Sequence, residues 1–210
     1  MDVRIKVCGV TRLADAERCA DEGVDAIGLN FWPRSPRRCE PEVAAEIARA
    51  IGERVRVVGV VVDASVDEVA RVRALGVSWI QLHGAERPGA LQALLPCALK
   101  ALHVVDRASL AEAMVWPGDE LLVDARTEAL PGGTGVRCDW DLAAELARAR
   151  SVWLAGGLAP DNVADAIARV APMGVDVASG VESAPGVKDH GRVRAFVAAA
   201  REVPPPRVAG

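Results

Sequence analysis

The chain has 210 residues, 51% of them hydrophobic and 26% charged, with a formal net charge of −4. That length suits one domain, and the composition suffices to bury the roughly 70% of unfolded surface expected at this size, which excludes a disordered body. Acidic and basic residues are mixed throughout without a basic run, so neither nucleic acid nor a membrane surface is an expected partner. The five cysteines, Cys8, Cys19, Cys39, Cys97 and Cys138, are odd in number and lack C-x-x-C spacing. That pattern argues against zinc and against a disulfide framework, so the expectation is no metal site and a reduced, cytoplasmic setting. The strand-like residues 3–7 begin too soon after Met1 to leave room for a secretory leader, and no apolar window reaches a membrane span.

In chain order, strand one is expected over residues 3–9, with Thr11 as N-cap of a helix reaching about Glu22. Strand two covers 25–31, the polar loop 32–39 follows, and Pro41 opens a helix with Val43, Ile47 and Ile51 on one face. Strand three, 55–62, is nearly continuous valine, the pattern of a strand buried on both faces. Its helix starts with the capping box Ser65-x-x-Glu68 and stops at Gly76. Strand four covers 79–83 and is followed by a short helix near 89–95; after strand five, 98–104, Asp106 caps a helix ending near Val115. Strand six, 120–124, leads into the longest loop, 125–138, which contains Pro131-Gly132-Gly133-Thr134-Gly135, and Asp139-Trp140-Asp141 starts the next helix. Strand seven runs into Gly156-Gly157; Val163, Ile167 and Val170 form the inner face of its helix, and strand eight ends before Ser179-Gly180. The last helix turns Val193, Phe196, Val197 and Ala200 inward and ends at Pro204-Pro205-Pro206.

Eight strand-then-helix units at a spacing of roughly 25 residues imply parallel strands joined by right-handed crossovers. The fold class is α/β, a single (β/α)8 TIM barrel over residues 1–203, with 204–210 as a loose tail; an open doubly wound sheet is the alternative. Closure is favoured by the wording after strands seven and eight. Gly156-Gly157 and Ser179-Gly180 would set backbone N–H groups and a helix start side by side, a seat for a phosphate. Either pair alone also serves an ordinary tight βα turn.

In a closed barrel the strand ends point into one mouth, where this sequence places Cys8, Gln81, His83 and Asp124. Cys8 reads as an acid/base or nucleophile, or as a small buried hydrophobe. Asp124 reads as an acid or base, or as a loop-bracing carboxylate; His83 as a ligand contact or a packing residue. Arg37 and Arg38 are either solvated or able to clamp a second anionic group. Alternation puts Lys6 and Asp176 inside on neighbouring strands, so they are expected to pair. The loops 32–39 and 125–138 are expected to be the mobile parts that close over a ligand. Taken alone, these residues lead to a barrel enzyme acting on a phosphorylated small molecule.

A more specific resemblance is carried by Lys6-Val7-Cys8-Gly9, Phe31-Trp32-Pro33-Arg34-Ser35-Pro36-Arg37, Gln81-Leu82-His83-Gly84, Asp124 with the following Gly132-Gly133-Thr134-Gly135, Leu154-Ala155-Gly156-Gly157-Leu158, and Asp176-Val177-Ala178-Ser179-Gly180-Val181-Glu182. In this order and spacing they resemble the phosphoribosylanthranilate isomerase family. The resemblance implies a cofactor-independent Amadori rearrangement in tryptophan biosynthesis, with Cys8 as general base and Asp124 as general acid. It also implies that Arg37, or Arg38 beside it, holds the anthranilate carboxylate, while Gly156, Gly157, Ser179 and Gly180 seat the phosphate and His83 contacts the substrate. The partner is then a small phosphorylated molecule, and the protein a monomer or homodimer. A thiol of ordinary pKa, about 8.5, is only a few per cent ionised at neutral pH, so help from Lys6 or a helix terminus is expected.

Overall fold

A computed structural model describes residues 2–124 and 140–203. The loop 125–138 and the tail 204–210 lie outside the described residues. Eight short strands alternate with helices: β1 (Arg4–Cys8), α1 (Leu13–Asp21), β2 (Ala26–Asn30), α2 (Pro41–Ile51), β3 (Arg56–Val61), α3 (Val66–Ala74), β4 (Trp79–Leu82) and α4 (Pro88–Gln92) form the first half. The second half comprises β5 (Ala98–His103), α5 (Arg107–Val115), β6 (Glu120–Asp124), α6 (Trp140–Ala149), β7 (Ser151–Ala155), α7 (Val163–Val170), β8 (Gly174–Val177) and α8 (His190–Arg201). The strands pair in chain order, all parallel, and β1 pairs with β8, so the sheet is a closed barrel. The open sheet is thereby excluded.

The nearly continuous apolar strands divide their residues between two cores, because successive side chains leave opposite faces of the sheet. Ile5, Val7, Ile27, Leu29, Val57 and Leu121 belong to the larger core between barrel and helices, to which α7 adds Val163, Ile167 and Val170, and α8 adds Val193, Phe196, Val197 and Ala200. Ala26, Val58, Leu99, Ala101, Leu122, Trp153 and Ala155 fill the lumen. Trp153 is the largest of these, and Gly174 on β8 faces it: a Cβ there would come within 2.5 Å of the indole Cε3. A large ring opposite a glycine fills the lumen without overlap, and truncating such a ring typically costs about 3–5 kcal/mol.

Side-chain N-caps form at two of the three expected positions, and Pro41 opens α2 as expected. Ser65 and Glu68 form the reciprocal capping box, and Asp106 accepts from the Ser109 N–H. Thr11 is not a cap: Arg12 occupies the N-cap without a side-chain bond, and Thr11 Oγ1 instead donates to the Gly186 carbonyl at 2.6 Å. Gly186 is the turn of a two-strand hairpin, β9 (Glu182–Ala184) with β10 (Val187–Lys188), inserted between β8 and α8 and not expected from the sequence. Its φ of +79° is the left-handed conformation that glycine takes without strain. The hairpin and α8 are fastened to the start of the chain by Asp15, which is wholly buried. Its carboxylate accepts from Arg12, from the Lys188 N–H at 3.1 Å and from His190 Nε2 at 2.8 Å. Burial alone would raise the pKa of Asp15; these donors, Arg12 first, outweigh burial and hold it below the usual carboxylate range.

Candidate active site

At the C-terminal ends of the strands the lumen opens into a cavity of about 550 Å³, within the ordinary range of a small-molecule site. Cys8 from β1, Gln81 and the adjacent His83 from β4, Asp124 from β6 and Asp176 from β8 converge on it. Register explains the convergence: Cys8, Asp124 and His83 all stand at or just beyond the last paired position of their strands. A second cavity of about 490 Å³ lies on the flank between the 32–41 segment and α3. It is mainly apolar and has no imidazole in its lining, whereas Cys8, His83 and Asp124 meet in the mouth, so the chemistry belongs to the mouth.

One wall is made by the segments after β7 and β8. Gly156 and Gly157 have φ of +100° and +66°, a conformation strained for any residue with a side chain. Asn162 braces this turn, accepting from the Ala159 N–H at 2.9 Å and donating to the Gly157 carbonyl at 3.0 Å. Gly180 lies in a 3-10 turn, Ser179–Val181, pressed against the same segment: a Cβ on it would sit 2.1 Å from the Leu158 carbonyl oxygen. The backbone N–H groups of Gly157, Ser179 and Gly180 meet no protein acceptor among the described residues. Such a group of donors at a helix start is suited to an oxyanion. Gly156, Gly157 and Ser179 line the cavity, with Gly180 immediately behind them.

A second wall comes from the 32–39 loop. Arg37 reaches the cavity, whereas Arg38 turns to the flank, 3.5 Å from Glu40. Arg37 is held side-on by Glu182, with Nε at 2.9 Å from Oε1 and Nη2 at 2.7 Å from Oε2. That geometry commits one edge of the guanidinium fork and leaves the Nη1 end for a ligand. The loop is tied rather than open: the Cys39 N–H donates to the Asn30 carbonyl, Ser35 to Trp32, and Arg38 to Ser35. Glu182 also accepts from Lys188 Nζ at 2.8 Å, and the same ammonium donates to the Cys8 carbonyl at 2.6 Å. Burial alone would raise Glu182, but Arg37 and Lys188 hold it below the carboxylate range. Glu182 and Lys188 therefore join the arginine of one wall to the cysteine strand. Sequence reasoning assigned them nothing, because Arg37 and Glu182 are 145 residues apart and no local pattern marks the pair.

Beneath the mouth, Lys6 Nζ lies 3.0 Å from Asp176 Oδ1, the expected pairing. Burial alone would lower the pKa of Lys6; Asp176 and then Cys8 outweigh it and hold the ammonium above its ordinary value. Burial lifts Asp176 above the carboxylate range against the pull of Lys6, so desolvation consumes part of the pair's attraction. Burial likewise pushes the Cys8 thiol up, opposed by Lys6 and Lys188. His83 Nδ1 accepts from Gln81 Nε2, 2.9 Å away, and burial together with Lys6 holds the imidazole pKa below its ordinary value. Burial and that bond both favour the neutral imidazole. Behind β4, the buried Lys100 ammonium donates to the Gly84 carbonyl at 2.6 Å and to Glu86 at 3.0 Å, fixing the turn that follows His83.

No helix among the described residues is long and apolar enough to cross a membrane. The profile of the family described as N-(5'phosphoribosyl)anthranilate (PRA) isomerase matches residues 5–199. An N-(5'-phosphoribosyl)anthranilate isomerase of Myxococcus xanthus is 47% identical over 209 residues, covering 97% of this chain and 98% of that one. The crystal structure of phosphoribosyl anthranilate isomerase from Thermotoga maritima superposes with a TM-score of 0.86 at 35% identity, covering 94% and 98% of the two chains. Another isomerase structure, in complex with reduced 1-(o-carboxyphenylamino)-1-deoxyribulose 5-phosphate, superposes with a TM-score of 0.83 at 33% identity over 94% and 98%. With sequence and barrel both matched from end to end, the chain belongs to the phosphoribosylanthranilate isomerase family.

Proposed function

We propose that the chain catalyses the Amadori rearrangement of N-(5-phosphoribosyl)anthranilate to 1-(2-carboxyphenylamino)-1-deoxy-D-ribulose 5-phosphate, an aldose-ketose isomerisation in tryptophan biosynthesis that needs no cofactor. The observation that carries the assignment of roles is the division of the mouth: a thiol and a carboxylate come from well-separated strands, between an N–H-lined wall and an arginine wall. The substrate carries an anion at each end, and each wall takes one. The phosphate sits over Gly156, Gly157, Ser179 and Gly180, and the anthranilate carboxylate meets the Nη1 end of Arg37. His83 contacts the sugar between them.

Asp124, the general acid, gives a proton to the furanose ring oxygen. The C1–O bond breaks as the anilino nitrogen lone pair forms the C=N bond of an iminium ion. That cation acidifies the C2 proton, which the Cys8 thiolate removes, and the C2–H electron pair becomes the double bond of an enolamine. Loss of the enol proton and protonation at C1 yield the ketone, and Asp124 and Cys8 regain their starting states by exchange of a proton. Because burial holds the thiol above its ordinary pKa, turnover rises with pH along a limb governed by Cys8.

The test is turnover of phosphoribosylanthranilate, followed by loss of its anthranilate-type fluorescence, for the native chain, Cys8→Ser and Asp124→Asn. Each variant is expected to lose about 10²–10⁴-fold in kcat, with product-analogue binding nearly intact. Near-native turnover in either overturns the pair. The protein is placed in the cytoplasm as a monomer or homodimer, which light scattering distinguishes.

A further inference from the structure

Two features of the lumen stand apart from the substrate-facing groups. Lys6 is only 1% exposed and does not line the mouth, yet its ammonium meets Asp176 directly below it. Gly28 stands mid-strand in β2, opposite Cys8, where glycine is unfavourable unless a reason exists. Its backbone supplies none, because its φ is not left-handed. Space does: a Cβ at position 28 would lie 2.7 Å from Cys8 Sγ and 3.2 Å from Lys6 Nζ. The thiol and the ammonium therefore lean over the same point of β2, in the room that the missing side chain leaves.

We propose that Lys6 is a positioning residue for Cys8: anchored by Asp176, its ammonium faces the thiol across Gly28 and stabilises the thiolate, with Gly28 reserving the space for that approach. The proposal deepens the reading of Cys8 as base and rests on it for its effect on turnover. The charges around the thiol are Lys6 from β1, Asp176 from β8, Lys188 from β10 and Arg37 from the 32–39 loop. Lys6 and Lys188 favour the thiolate, whereas burial and Asp176 oppose it. Asp176 has two consequences of opposite sign. It keeps the buried ammonium charged and in place, and it repels the thiolate less than Lys6 attracts it.

The experiment reads Cys8 with and without substrate. Iodoacetamide alkylation is followed against pH on the full chain, with the Cys8 peptide quantified by mass spectrometry; kcat and KM are measured over the same range. Burial pushes Cys19 up to about 12 and Cys39 up to about 11, and quantifying the Cys8 peptide itself separates it from the remaining thiols. Lys6→Met should move the Cys8 alkylation midpoint up by about one unit or more, which lowers kcat at pH 7 by about tenfold and lets it recover as pH rises, with KM nearly unchanged. Because Lys6→Met strands Asp176, the double variant Lys6→Met/Asp176→Asn removes both charges and should shift the midpoint in the same direction by less. Gly28→Ala keeps every charge, and its methyl group should displace the thiol and raise the midpoint too. A native midpoint in both folded Lys6 variants overturns the coupling, and a native midpoint in Gly28→Ala overturns the spacing. Alkylation needs no substrate, so an inactive native chain would sink the isomerase reading while the midpoints still decide this one.

Discussion

The two ends of the barrel are built from the same strands, yet their charges are arranged to opposite effect. At the N-terminal end Glu120 accepts from Arg4 at 3.3 Å, from Arg56 at 2.8 Å and from Trp153 Nε1 at 2.9 Å, while Arg56 stacks on Trp79 at 3.8 Å. One carboxylate answers three donors, and the end is plugged. At the C-terminal end the groups are braced from behind and left with bonding capacity toward the cavity: Arg37 by Glu182, and the Gly157 turn by Asn162. The difference teaches where this fold keeps stability and where it keeps function, as expected when catalytic groups gather at one face of a barrel.

The comparison can be broken most severely at the plug. Glu120→Ala leaves two partly exposed arginines and a buried indole N–H without their shared acceptor, so stability should fall by about 1–3 kcal/mol in urea titration. The folded remainder should keep its native KM; a raised KM would mean that the plug reaches the mouth. Acid should act through the braces. Asp15, Glu182 and Glu86 all have folded pKa values below their ordinary ones: burial opposes the shift in each, and donors from Arg12, Arg37 and Lys100 respectively overcome it. A depressed carboxylate contributes stability that is fully present above its unfolded pKa of about 4 and is lost as pH falls through the folded value. Melting temperature should therefore hold from neutral pH to about 5 and fall below about 4. The double variant Asp15→Asn/Glu182→Gln should flatten that decline, and an unchanged slope would deny these groups the role.

Glu182→Gln sharpens the contrast at the mouth. Arg37 loses its charged anchor, and KM should rise about tenfold, about 1.4 kcal/mol, with a smaller fall in kcat. Equal losses in kcat and kcat/KM would place Glu182 in the reaction instead. The smallest effect belongs to neither end. Ser65→Ala removes half of the α3 capping box and should cost about 1 kcal/mol of stability with activity unchanged.

What was legible in the sequence follows from what is local. The eight units, the capping box at Ser65, the cap at Asp106, the inward faces of α7 and α8 and the turn at Gly156-Gly157 each depend on a few adjacent residues. Lys6 with Asp176 was legible despite 170 residues of separation, because alternation turns both inward and closure makes their strands neighbours. Thr11 was misread, because a hydroxyl before a helix serves as well for the β9–β10 turn, which strand-helix alternation does not announce. Arg37 with Glu182, and Lys100 with Glu86, needed the folded backbone to bring their ends together.

The β1–β8 contact also makes the lumen a record of folding order. Joining Arg4–Cys8 to Gly174–Val177 closes a loop of nearly the whole chain, a non-local step whose entropy cost grows with loop length and which slows folding. Until it occurs, Lys6 lacks its carboxylate and the thiol at position 8 is open to water along β1. Brief alkylation at intervals during refolding therefore turns Cys8 into a clock, since its reactivity settles to the native rate when the ring of strands closes.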